Sequence, residues 1–300
     1  MRILAAVFTF LLCFSPNSFA LGKLGHRLVC QLAYEQLTPQ EQQAINALLA
    51  TLPKQEKSLI KQYNYRAKAK NVTFDESCTW ADAIKKKDKY EKFKGWHFVN
   101  VDRNVSQIPH NICKSNCVTH AIAFHTQQLK RASAKRQQLE ALMFLGHWVG
   151  DIHQPLHVSF KSDLGGNKTR IKSNHSKCEN LHWYWDQCLL LPLDASELKS
   201  SQHHEAHESM QLTELRKLLV TAPVNQWKNS TTTDWANESL ELVRQVDFKY
   251  CEISKASCNV TNKQPIVIDE KYHQHYQKVL LQRIMQASVR LAHLLRTALS

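Results

Sequence analysis

The stretch from His147 to His157, HWVGDIHQPLH, places three histidines and one aspartate within eleven residues. His147 and Asp151 are four apart, so on a helix they share one face, about 6 Å apart along the axis. An imidazole nitrogen and a carboxylate oxygen at that spacing can grip one metal ion. His157 follows Pro155, which breaks the helix and lets the chain turn back toward the same cavity. His153 is out of phase with the pair and reads as a hydrogen-bonded structural histidine. One such pair is a weak signal, but HWYWD repeats it with His182 and Asp186. TWADAIK adds Asp82, GWHFVN adds His97, and LGKLGH adds His26. The tryptophans in the HWYWD, TWADAIK and GWHFVN blocks can wall a site against water. Nitrogen and hard-oxygen ligands without cysteine suit zinc in a catalytic rather than a structural role.

The elements that must carry these residues read as helices. Only seven glycines and eight prolines punctuate 300 residues, which favours long helices over many short strands. A helix is predicted over Leu37 to Leu52, with Thr38 as N-cap and Pro39 at its first position. Ala134 to Gln154 is a long apolar-periodic helix that Pro155 ends, and Lys278 to Leu299 a terminal amphipathic one. Sustained alternation is scarce, so sheet content should be small. With no repeats and no low-complexity linker, residues 21–300 read as one mainly α-helical domain.

Residues 1–20 stand apart. Arg2, an apolar run from Ile3 to Phe14 and small residues before Ala20 form a secretory signal peptide with cleavage after Ala20. No later apolar run is long enough to span a membrane, so a soluble, secreted or periplasmic protein is expected. Eight cysteines remain beyond Cys13, and an even number in an exported chain suggests disulfides. Proximity pairs Cys113 with Cys117, Cys178 with Cys188 and Cys251 with Cys258, leaving Cys30 with Cys78; other pairings stay open. A formal net charge of +13 favours polyanions, or is an ordinary solvated basic surface.

In chain order, LGKLGH, TWAD, WHFVN, GHWVGDIHQPLH and NLHWYWD resemble the trinuclear-zinc, single-strand-specific nucleases with 3′-nucleotidase activity, the S-one/P-one type. The resemblance implies an all-α, disulfide-stabilised single domain of a fold shared with zinc-dependent phospholipases C. It implies three zinc ions: one on Asp82, His97, His147 and Asp151, a second on His157, His182 and Asp186, and a third on the amine and carbonyl of Leu21 with His26. Asp151 would bridge the first and third. The family usually begins the mature chain with tryptophan; Leu21 stands there instead, but the ligand atoms are backbone. Hydrolysis by a metal-activated water is implied, with Asp82 orienting it and Lys85 on the phosphate, although Lys85 in KKKDK also reads as a solvated lysine. Phe98 could stack on a base or pack in the core. The loop SDLGGNK, with Gly165, Gly166 and Asn167, could approach substrate or make an ordinary turn.

Single-stranded DNA, RNA and 3′-nucleotides are the implied substrates, for a monomer with no stable membrane association. Zinc phospholipase C activity and a non-catalytic exported zinc-binding protein are the alternatives. The pair His203 and His207 reads as a polar helix face, and His273 with His275 has the wrong spacing for one ion.

Overall fold

The longest helices converge on the histidine–aspartate stretch. The structure is a computed structural model that describes residues 21–66, 69–175, 177–193, 201–261 and 265–300; the expected signal peptide lies outside the described residues. The first half contains α1 (Gly22–Glu35), α2 (Pro39–Ala50), α3 (Lys54–Tyr63), α4 (Phe74–Ser77), α5 (Trp80–Ile84), β1 (Val99–Val101), α6 (Val118–Arg131) and α7 (Lys135–His153). There follow β2 (Val158–Phe160), β3 (Ile171–Lys172), α8 (Leu181–Trp183), α9 (Ser201–Val220), α10 (Val224–Lys228) and α11 (Thr232–Val243). The chain ends with β4 (Cys251–Ser254), β5 (Ser257–Val260), β6 (Ile266–Val267) and α12 (Glu270–Leu299). It is mainly α-helical, as the scarcity of glycine predicts.

Local signals set several boundaries. Thr38 and Glu41 form a reciprocal capping box on α2, satisfying two amides at its start. Helix α7 stops at His153, one residue short of the predicted Gln154, which Pro155 holds in an extended conformation. Helix α12 starts at Glu270, well before the predicted Lys278. The side chain of Asp269 caps it, accepting from the Tyr272 amide at 2.8 Å, and buried Tyr272, His273 and Tyr276 extend the core face backward.

Helix α7 is buried on every side from Ala141 to His153, so it is the central rod, with α1, α6 and α12 packed around it. All four disulfides follow the proximity pairing. The Cys30–Cys78 bridge ties α1 to the approach to α5, and α7 crosses it at Gly146. A Cβ there would collide with Cys78 Sγ and stand 2.9 Å from Cys30 Sγ, so only glycine permits the crossing. Three helical segments bearing His26, Asp82 and His147 are thereby drawn together.

The strands form three two-stranded ladders among the described residues. One matters to the site: β1 runs parallel to β2 with Val99 opposite Val158. That register seats His97 beside His157, whose Nδ1 donates to the His97 carbonyl at 2.7 Å.

Candidate metal centre

Side chains from separate segments meet in the interior. Three groups have ligand atoms close enough to share an ion: His26, Asp82 and His147; His97, His147 and Asp151, which shares His147 with the first; and His157, His182 and Asp186. Asp151 lies at the middle. Its Oδ2 is 3.0 Å from His97 Nδ1 and 3.3 Å from His147 Nε2, while Oδ1 is 3.3 Å from His26 Nε2. Its Oδ1 is also 3.7 Å from His157 Nδ1. Asp186 lies 3.3 Å from His182 Nε2 and 3.7 Å from His157 Nε2.

The donor set fits a metal. His147, His157 and His182 each give Nδ1–H to a backbone carbonyl, of Cys78, His97 and Gly165, which turns the Nε2 lone pair inward. Both nitrogens of His26, Nε2 of His157, Oδ1 of Asp151 and Oδ2 of Asp186 are buried without a hydrogen-bond partner. Orphaned polar atoms of this kind are costly, and a cation among them removes the cost.

Electrostatics set compatible protonation states. Burial opposes ionisation of Asp151, yet His147 and His157 outweigh it and hold the carboxyl well below the usual range. Burial pushes Asp82 up as well, but Lys85, His147 and His97 prevail and lower it. His26 is pushed down to about 4 by burial and by His147, so it is neutral. His157 is driven up to about 9 because Asp151 and Asp186 overcome its burial. A metal would displace that proton on binding.

A cavity of about 870 Å³ opens over His97, His157 and His182. Lys85 lines it, with Nζ 3.4 Å from Asp82 Oδ1, and exposed Lys86, Lys94 and Lys161 stand around it. Phe98 is 40% exposed and faces this cavity rather than packing in the core. Asn167 also lines it, its side-chain amide donating to the Leu164 carbonyl at 2.8 Å. Leu21 is buried at the start of α1, and Gly22 backs onto the Asp186 carbonyl.

Two residues near the site escaped the sequence reading. Asn100 lines the cavity with its Oδ1 buried and unpartnered. Strand alternation offered a signal, since residues two apart face the same way and Phe98 is two before it. Tyr63 gives its hydroxyl to Asp82 Oδ2 at 3.4 Å across nineteen positions of chain, a contact that no local pattern announces. Of the set-aside histidines, His203 and His275 are exposed, while His153, His273 and also His207, which the sequence placed on a polar helix face, are buried and structural. His153 donates to the Val149 carbonyl and accepts from Arg290. His207 bonds the Leu190 carbonyl, and His273 accepts from the Tyr184 hydroxyl at 2.6 Å.

Fold and site together define a class: mainly helical, disulfide-stapled proteins with buried histidine–aspartate groups able to hold metal beneath a cationic cavity. Residues 21–300 match the S1/P1 nuclease family, and the chain belongs to it. Endonuclease 2 of Arabidopsis thaliana is 27% identical over 311 residues, covering 97% of this chain and 94% of the plant protein. Nuclease S1 of Aspergillus oryzae is 34% identical over 113 residues, 36% of this chain and 39% of its own. Nuclease P1 of Penicillium citrinum is 27% identical over 175 residues, 55% and 56% of the two chains.

Proposed function

We propose that this protein is an exported zinc-dependent endonuclease that hydrolyses single-stranded DNA and RNA to 5′-phosphorylated products, and that it also removes phosphate from 3′-nucleotides. The observation that carries the reading is the set of orphaned, buried ligand atoms beneath a lysine-lined cavity. Four disulfides support export, because such bonds persist in oxidising compartments. Residues 21–300 would act as a single domain, and the protein as a monomer.

Three zinc ions are assigned. Asp82, His97, His147 and Asp151 would hold one, His157, His182 and Asp186 a second, and Leu21 through its amine and carbonyl with His26 a third. Asp151 would serve both the first and the third. Bound there, zinc polarises a phosphoryl oxygen and lowers the pKa of water enough for attack near neutral pH. Asp82, charged and held by Lys85 and Tyr63, orients the attacking water. Lys85 presents its ammonium to the phosphate, where a charge-assisted bond strengthens as the phosphoryl charge grows. Phe98 stacks on an unpaired base, which any sequence offers and a duplex hides. Asn167 contacts the same nucleotide from the glycine loop.

The test is zinc content of protein starting at Leu21, measured beside turnover of single-stranded DNA, RNA, 3′-AMP and phosphatidylcholine. Bound zinc with nucleic-acid turnover, lost in EDTA, is expected. Faster turnover of the lipid would reassign the site to phospholipase C chemistry, and zinc without any turnover would leave a binding protein.

A further inference from the structure

The glycine loop that precedes His182 is held by a carboxylate with no part in the reaction. Asp163 is buried, and each of its oxygens accepts two hydrogen bonds. Oδ1 receives the Tyr250 hydroxyl at 2.7 Å and the Gly166 amide at 3.3 Å. Oδ2 receives Arg103 Nη2 at 3.0 Å and the Thr169 hydroxyl at 2.8 Å. Arg103 is fixed in turn: Nε donates to Ser162 Oγ at 2.8 Å and Nη1 to the Cys258 carbonyl at 3.0 Å. Its guanidinium lies over the rings of Phe160 and Tyr250. Tyr250 and Cys258 belong to the β4–β5 hairpin region, far along the chain and closed by the Cys251–Cys258 bridge.

The clamped turn is an unusual one. Leu164, Gly165 and Gly166 all have positive φ, at 57°, 65° and 82°. A leucine seldom adopts that region, and three such residues in succession are rarer still, so surrounding structure must impose the turn. The turn delivers two contacts to one candidate ligand: the Gly165 carbonyl accepts His182 Nδ1–H at 2.7 Å, and the Gly166 carbonyl accepts the His182 amide at 3.4 Å. A Cβ at Gly165 would meet the Leu156 carbonyl at 2.5 Å, so the turn has no room to shift that way.

We propose that Asp163 is a positioning residue: with Arg103 and Tyr250 it locks the 163–166 turn so that Gly165 orients the His182 ring for metal. Partners of this outer kind set ligand tautomer and direction, and their loss typically weakens metal binding about 10–100-fold. The inference rests on the reading above that His157, His182 and Asp186 hold an ion.

Zinc alone is titrated into the metal-free protein, 21–300, by calorimetry, with the metal-free unfolding midpoint recorded beside it. Asp163→Asn is expected to weaken one zinc equivalent about 10–100-fold and spare the others. Tyr250→Phe should weaken the same equivalent by less. In a His182→Ala background, where that equivalent is already impaired, Asp163→Asn should add nothing. Unchanged zinc binding, loss spread evenly over all equivalents, or additive loss in the His182→Ala background overturns the proposal. A lower midpoint without selective zinc loss marks a merely structural residue and overturns it too. Should Asp163→Asn fail to fold, Tyr250→Phe decides, and unchanged affinity there overturns it. Wild-type protein that takes up no zinc defeats the metal reading and this inference together; wild-type uptake with unaffected Asp163→Asn defeats this inference alone.

Discussion

His26 and His147 lie face to face in the interior, ring centroids 3.8 Å apart and planes inclined by 17°. Gly150, nearly one turn after His147 on α7, gives them space: a Cβ there would sit 2.6 Å from His26 Nδ1. Gly150→Ala should push the His26 ring off its position, cost roughly 1–3 kcal/mol in stability as overpacking does, and remove one zinc per chain. Elemental analysis and thermal unfolding check this. Full zinc content with unchanged stability would show that the ring has slack the packing does not suggest.

Asp151→Asn should deplete two zinc positions at once, because Asp151 faces His26, His97 and His147 together. His153→Ala, two residues on, should keep the zinc. It removes an acceptor from buried Arg290, which still pairs with Glu238, so a loss of about 1–3 kcal/mol in stability is expected. Zinc counts on both variants separate the roles, and equal depletion would contradict the assignment.

Extending the protein with Met-Gly before Leu21 should remove the third zinc and most of the activity. An amide nitrogen is a poor ligand, whereas a free amine, with a reference pKa of about 8, can give up its proton to metal. Protein beginning at Leu21 is the comparison, and equal zinc and equal cleavage of single-stranded DNA would refute the N-terminal ligand.

Acid should destabilise the fold partly through His273. Burial holds its pKa down to about 4, helped by His175, and the Tyr184 hydroxyl donates to its neutral ring. A folded pKa below the unfolded value of about 6.5 means the unfolded chain binds the extra proton between those limits. The contribution is whole above pH 6.5 and is lost as pH falls through 4. His273→Gln should therefore flatten the pH dependence of unfolding by about one proton, roughly 1.4 kcal/mol per pH unit across that window. Urea midpoints at about pH 5 and about pH 7, inside and above that window, measure it for both proteins. Parallel slopes would mean that His273 is not buried neutral.

What the chain sequence determined is what short-range geometry controls. Helical period put His147 and Asp151 on one face and turned His153 away, and Pro155 ended α7 because proline restricts the residue before it. Thr38 and Glu41 announced the start of α2, since a capping box needs only four residues. The nearest cysteines paired, leaving Cys30 to Cys78. Tertiary structure decided the convergence. His26, Asp82, His97 and Asp151 come from separate segments, and their meeting depends on the Gly146 crossing and the β1–β2 register. The partners of Asp82 and Asp163 follow the same rule: Tyr63 and Tyr250 reach them across the fold. Hydrogen bonds and periodicity act over a few residues and are written locally, whereas close packing joins side chains whose distance along the chain carries no information.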